Sequence, residues 1–253
     1  MTSLFPKIDV PTYSVKLPVS KIDVTYRPYL TKEEKLLLMA LESKDSKTIM
    51  QTIRQVAVNC VIKPENLNVD NLAMVDLEFL FLHLRAKSKG EMLESQFSCK
   101  ADSTELSEDG ETFKPCNNPI LLKARIDELK VDGLTDYKDV IPLTDKIGVK
   151  MRLPRYMDME ATAVDDEMTP TQKAYALVLA AIESVYDSDQ VYKVDKSNLK
   201  DLEVFLDSLS IDQFRKIEAF FATVPRIDYT FNVKCTKCGF DHSIHYKDTA
   251  SFF

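Results

Sequence analysis

Val75-Asp76-Leu77-Glu78-Phe79-Leu80-Phe81-Leu82-His83-Leu84-Arg85-Ala86-Lys87-Ser88-Lys89-Gly90 is the stretch on which the fold turns. Its apolar residues keep to no single stripe, because Leu77, Phe79, Leu80, Phe81, Leu82 and Leu84 face most sides of a helix. A helix that is apolar nearly all round has to be covered nearly all round. The pattern therefore predicts a helix over roughly Val75 to Ser88 that sits centrally. Arg85, Lys87 and Lys89 in its last turn, then Gly90, suit a helix C-terminus, where exposed carbonyls favour positive charge and glycine ends the helix. His83 reads as a core or boundary histidine rather than a ligand.

Upstream, Ile49, Ile53, Val56, Ala57 and Cys60 are spaced for one buried helix face, ended by Pro64. Thr31-Lys32-Glu33-Glu34 reads as a capping box opening an earlier helix, with Leu37, Leu38 and Leu41 as its apolar stripe. Before it, Tyr13, Val15 and Leu17 alternate with polar neighbours, as do Ile22, Val24 and Tyr26. That is the period of two half-buried strands, and Pro18 to Lys21 is short enough to join them as a hairpin.

Downstream the character changes to strands and loops. Ile120, Leu122, Ala124 and Ile126 alternate, and so do Ile147, Val149, Met151 and Leu153. Ser103 to Glu111 reads as a polar loop tip, and the acidic stretch Asp158 to Met168 as a solvated linker. Thr169-Pro170-Thr171-Gln172 starts a helix expected to run to about Tyr186. Leu202, Phe205, Leu206 and Leu209 make a shorter one. Ser210 caps a third, which buries Phe214, Ile217, Phe220 and Phe221 and stops at Pro225. Strand-like Tyr229, Phe231 and Val233 and then His242 to Tyr246 flank a cysteine-bearing turn. The expected class is α+β: an N-terminal β-hairpin, a helical body, and a mixed β region of hairpins that a four-cysteine zinc site is available to pin. Its segments are 1–93 (hairpin plus helices), 94–157 (β-rich), 158–225 (helical) and 226–253 (hairpin with CxxC and a Phe-Phe tail), forming one compact unit or two closely packed lobes.

The sharpest chemical signal is Cys235-Thr236-Lys237-Cys238-Gly239. Two thiolates separated by two residues can grip one metal from a tight turn, and the glycine supplies unusual backbone angles. Tetrahedral zinc needs two more ligands. Cys99 and Cys116 can supply them, with His242 and His245 as local substitutes. The other reading is reduced thiols beside a hairpin turn; redox chemistry is disfavoured because the βαβ context of such motifs is missing. A four-cysteine zinc site has no open position for water, so it would staple a fold rather than catalyse.

A formal net charge of -7 argues against a nucleic-acid partner. Apolar runs such as Leu36 to Leu41 and Ala174 to Ile182 fall short of a membrane span. Met1 to Val10 lacks the apolar core of a secretory signal, so the expected setting is a reducing cytoplasm, where thiols stay free or bind metal. Only three histidines, and no P-loop, GxSxG, HExxH or dinucleotide fingerprint, leave little for an enzyme to use. No substrate or catalytic residue is expected.

Tyr26-Arg27-Pro28-Tyr29-Leu30-Thr31-Lys32-Glu33-Glu34-Lys35, continuing to Ser43, resembles the N-terminal signature of the T-even-type myophage baseplate hub subunit and hub assembly protein family. Asp9 to Tyr13, Asp76 to Glu91, Gln213 to Pro225 and Ser251-Phe252-Phe253 are similar in the same order. The resemblance implies a non-enzymatic role in building the hub of a contractile tail, in the host cytoplasm during assembly. The partners would be other baseplate hub or tail proteins. An assembly chaperone absent from the finished particle and a permanent hub subunit of the virion baseplate both fit. A zinc-ribbon nucleic-acid regulator is a third, weaker reading. The expected contact residues are the basic turn, Arg85, Lys87 and Lys89, and the terminal Phe252 and Phe253, two aromatics that need cover from the body or from a partner. Some similar proteins lack a complete cysteine set, so zinc is not implied by the resemblance and rests on Cys99, Cys116, Cys235 and Cys238 here.

Overall fold

The computed structural model describes residues 8–106, 113–163 and 169–246. In chain order these form β1 (Tyr13–Lys16), β2 (Asp23–Tyr26), α1 (Thr31–Ser43), α2 (Ser46–Cys60), β3 (Val61–Lys63), α3 (Met74–Lys89), β4 (Met92–Ser98), β5 (Asp102–Leu106), β6 (Phe113–Pro115) and β7 (Pro119–Arg125). There follow β8 (Val131–Asp132), β9 (Val140–Pro142), β10 (Gly148–Met151), α4 (Tyr156–Ala163), α5 (Pro170–Ala181), β11 (Ile182–Tyr186) and β12 (Val191–Lys193). The last are α6 (Leu199–Asp207), α7 (Ile211–Thr223), β13 (Arg226–Ile227), β14 (Thr230–Lys234) and β15 (Asp241–His245). Helices joined by small antiparallel sheets make the class α+β, as expected.

Two apolar clusters explain why α3 is apolar on most sides. Leu77, Leu80, Phe81 and Leu84 pack with Leu17, Val24 and Tyr26 of the N-terminal hairpin and with Ile53, Val56 and Cys60 of α2. Val75, Leu82 and Ala86 face a second cluster with Leu93, Ile126, Ile227 and Tyr229. Asp76, fully buried on the same helix, accepts the Val19 and Ser20 amides at 2.8 Å each and so fixes the hairpin turn to α3. His83 packs at a tilt against Phe79, ring centres 4.6 Å apart, and burial lowers its pKa, which favours the neutral ring. The helix stops at Gly90, whose φ of 104° suits glycine alone.

The N-terminal hairpin forms, with β1 on β2 in register Tyr13↔Tyr26 and β3 added at the far side of β2. The cap of α1 differs from expectation. Leu30 holds the N-cap position, and the Glu33 carboxylate takes the Leu30 amide at 2.9 Å and Arg27 Nη2 at 3.0 Å. Burial alone would raise the Glu33 pKa, but those hydrogen bonds hold it below the usual range. Starting the helix at Thr31 turns Glu33, Leu37 and Ala40 inward and leaves Leu38 outside.

In the second half β12-β11-β10-β9 form one antiparallel sheet. Its core is Ile141, Leu143, Val149 and Met151 against Val178, Ile182, Leu202, Leu206, Ile217 and Phe220. Its strands come from residues 140–151 and 182–193. Three readings need correction. The helix expected to reach Tyr186 ends at Ala181, and the next residue begins β11, because Ile182, Val185 and Tyr186 find an antiparallel partner in β10. Gly148, opposite Tyr186, leaves no room for a Cβ, which would fall 2.6 Å from the Ile141 carbonyl oxygen and 2.1 Å from the Tyr186 hydroxyl. The acidic stretch expected as a linker begins instead inside α4. Asp158 is buried, takes Arg152 Nη1 and Nη2 at 2.5 and 2.9 Å, and accepts the Arg155 amide at 2.8 Å. The polar stretch from Ser103, expected as a loop tip, starts as β5, paired with β6; residues 107–112 lie outside the described residues.

Phe81→Ala empties the contact between α3 and the N-terminal hairpin and is expected to cost about 3–5 kcal/mol in chemical denaturation. Burial alone would raise the Asp158 pKa, but the Arg152 and Arg155 contacts outweigh it and hold it low. Its stabilising contribution is therefore present above the unfolded carboxylate value near ~3.9 and lost as pH falls through the folded value. Asp158→Asn should flatten the acid limb of a stability–pH profile, and a profile identical to the parent would contradict this assignment.

Candidate metal centre

The longest two-stranded ladder delivers two cysteines to one place. β4 and β7 pair without a break from Met92↔Arg125 to Ser98↔Pro119. Cys99 is the first residue past β4, and Cys116 lies just ahead of β7. The chain is held there by Cys99 N to Asn118 O (2.9 Å), Asn117 N to Cys99 O (3.1 Å) and Cys116 N to Ala101 O (2.9 Å). Likewise β14 pairs with β15 from Thr230↔His245 to Lys234↔Asp241, and Cys235 and Cys238 lie in the turn at its end. Cys235 N reaches Phe240 O at 2.8 Å, Gly239 N reaches Cys235 O at 2.9 Å, and Gly239 takes φ 73°. The first ladder thus carries Cys99 and Cys116 at its end, on either side of the β5–β6 pair, and the second ends in a tight turn that carries Cys235 and Cys238.

These two ladder ends meet. The sulfurs of Cys99, Cys116, Cys235 and Cys238 all lie within 4.8 Å of one another. Cys99 Sγ is 3.6 Å from Cys238 Sγ, and Cys116 Sγ is 3.8 Å from Cys235 Sγ. A disulfide needs about 2.05 Å, so these are not bonded pairs. A tetrahedron with metal–sulfur bonds of about 2.3 Å has edges of about 3.8 Å, which is the separation seen. Cys99, Cys116 and Cys235 are buried and Cys238 is half-buried. The arrangement can hold one metal ion.

The local electrostatics are divided. The Cys238 and Lys237 amides hydrogen-bond Cys235 and pull its pKa down to about 6. Burial pushes Cys99 up to about 12, against the Ala101 amide. Four thiolates this close repel one another, and a bound cation removes that cost. His242 Nε2 lies 3.1 Å from Cys99 Sγ, beside the sulfur set rather than within it. His245 points elsewhere, its Nδ1 3.0 Å from Thr230 Oγ1. Asn118 Nδ2 reaches Thr236 Oγ1 at 3.2 Å and Cys235 Sγ at 3.6 Å, a contact the sequence reading missed. Its signal was its position, two residues past Cys116.

The family described as T4 bacteriophage base plate protein matches residues 10–253. The chain belongs to that family. No curated protein and no solved structure matches it. This baseplate protein therefore takes other bacteriophage baseplate proteins as its class of partner. Among the described residues, no helix is long and apolar enough to cross a membrane.

The basic residues expected at a contact of this baseplate protein make their own contacts on and around α3. Arg85 is buried and donates from Nη1 to Gly90 O at 2.7 Å. Lys87 pairs with Glu91 and sits 5.4 Å over the Tyr13 ring, and Lys89 pairs with Glu34 at 3.4 Å. Phe252 and Phe253 lie outside the described residues. Cys60 belongs to the first core, where burial pushes its thiol up to about 11. Alkylation of the native chain near neutral pH, mapped by peptide mass, should spare Cys60 until denaturant is added; labelling of Cys60 as fast in the native chain as in the denatured one would refute that placement.

Proposed function

We propose that this baseplate protein is a hub-assembly factor of a contractile tail that acts by protein–protein contact and transforms no substrate. The observation that carries this reading is the family match over nearly the whole chain. The interior supports it. Its buried carboxylates Glu33, Asp76 and Asp158 hold backbone amides or arginines, which is structural work. In this reading the four-cysteine centre is a structural zinc site, scaffold rather than reagent. The protein works in the host cytoplasm while the hub is built. A permanent place in the virion baseplate is the second reading, favoured by the same family match.

The contact surface we favour is the outer side of α1 together with the basic turn of α3. Leu36, Leu38 and Met39 are 45%, 45% and 56% exposed, a costly arrangement on a lone protein. Glu34, one turn before Leu38, pairs with Lys89, so the basic turn rims this apolar face. The terminal Phe252 and Phe253 are proposed as a second contact.

Affinity capture with the tagged chain from cells late in infection should recover baseplate hub proteins. Leu38→Glu with Met39→Glu should cut that recovery by roughly tenfold while leaving the melting temperature within a few degrees of the parent. Full recovery by the double variant would reject the α1 surface, and capture without any tail protein would reject the assembly role. Abundant peptides of this chain in purified virions would select the permanent subunit.

A further inference from the structure

We propose that zinc at the four-cysteine centre is the clasp that seats the C-terminal hairpin on the body, with His242 as its outer hydrogen-bond donor. This inference rests on reading the centre as a zinc site and extends it. Two ligands come from each of two hairpins, Cys99 and Cys116 past the β4–β7 ladder and Cys235 and Cys238 past the β14–β15 ladder. These ladders are separate two-stranded sheets that do not pair with each other. A two-stranded hairpin is marginal by itself in water.

At its base the C-terminal hairpin is anchored by packing. Tyr229, Phe231 and Tyr246 join the cluster on α3, and the Tyr229 hydroxyl lies 3.4 Å from Glu78 Oε2. At its tip the apolar cover is thin: among the described residues Ile120 is the one buried apolar side chain clustered with the three buried cysteines, and Phe97, Ala101 and Val233 are only partly buried. Metal–sulfur bonds would thus cross a gap that no backbone ladder crosses. A single ion is indicated, because sulfurs within 4.8 Å of one another leave no room for a multi-iron cluster. Zinc suits four thiolates in a closed tetrahedron, having no geometric preference of its own, and such sites hold it more tightly than ferrous iron. On binding, the thiol protons leave to solvent and the site keeps a net charge of about -2. The amides of Ala101, Asn118, Lys237 and Cys238 are placed to meet that charge.

With four sulfurs filling the tetrahedron, His242 has a positioning role. Its Nε2, 3.1 Å from Cys99 Sγ, donates to the thiolate, while Phe240 and Phe97 hold the ring at centroid distances of 4.9 and 5.8 Å. Outer donors of this kind tune metal affinity without entering the coordination.

The test uses the full purified chain. Metal analysis should find about one zinc per chain. Iron in its place, or less than about 0.2 zinc per chain from zinc-supplemented cells, would overturn the zinc site itself. Stripping with a strong chelator under reductant should lower amide-exchange protection in 95–118 and 230–245 by about tenfold or more, spare 77–84 of α3, and be reversed by zinc. Hairpins equally protected without metal, or protection lost throughout the chain, would overturn the clasp while leaving the zinc site standing. Cys238→Ser should lose the ion and Cys60→Ser should keep it. In the cobalt-loaded chain His242→Ala should leave the four-thiolate spectrum unchanged yet weaken zinc binding by roughly 10–100-fold. An altered spectrum would make His242 a ligand, and an unchanged affinity would remove its role.

Discussion

The whole structure depends on covering α3. A helix with Leu77, Leu80, Phe81, Leu82 and Leu84 all essentially out of water needs partners on more than one side. The chain supplies them from distant segments. The N-terminal hairpin and α2 close one side, and Leu93, Ile126, Ile227 and Tyr229 close the other. Because β13 and Tyr229 arrive from beyond residue 225, the last part of the chain is tied to the first half, and the base of the C-terminal hairpin is fixed where its tip can meet the β4–β7 ladder.

Polar groups join the parts that apolar contact leaves loose. Asp76 fastens the hairpin turn to α3 through two amides, and Glu33 ties the start of α1 to Arg27. Asp158 gathers Arg152 at the end of the sheet strand and the first turn of α4. Each is a buried carboxylate whose hydrogen bonds offset the cost of taking charge from water. In the proposed zinc clasp the four cysteines would be the counterpart at the far tip, where Ile120 and partly buried side chains give the apolar cover.

Much of this was legible in the residues. The central helix, the N-terminal hairpin, the caps at Thr169 and Ser210, and the two terminal strands carry their own periodicity or capping chemistry, and all form. The errors share a cause. Ile182 to Tyr186 carries the same apolar spacing as a continued helix, and only β10 alongside makes a strand the better state. Asp158 looked solvated because its acidic neighbours dominate the local composition, whereas Arg152 and Arg155 are set around it by the turn into α4. Leu38 looked buried until the start of α1 at Thr31 fixed which side faces the core.

The sequence by itself determined the local elements, the α+β class and the four cysteines, since these depend on side-chain type at short spacing. Tertiary structure alone decided that the two cysteine pairs meet, that His242 rather than His245 lies against them, and that Arg85 turns inward. Those facts depend on where two ladder ends fall in space. Between Cys116 and Cys235 run the second apolar core and its sheet, and no short-range pattern in the intervening chain encodes the distance they close.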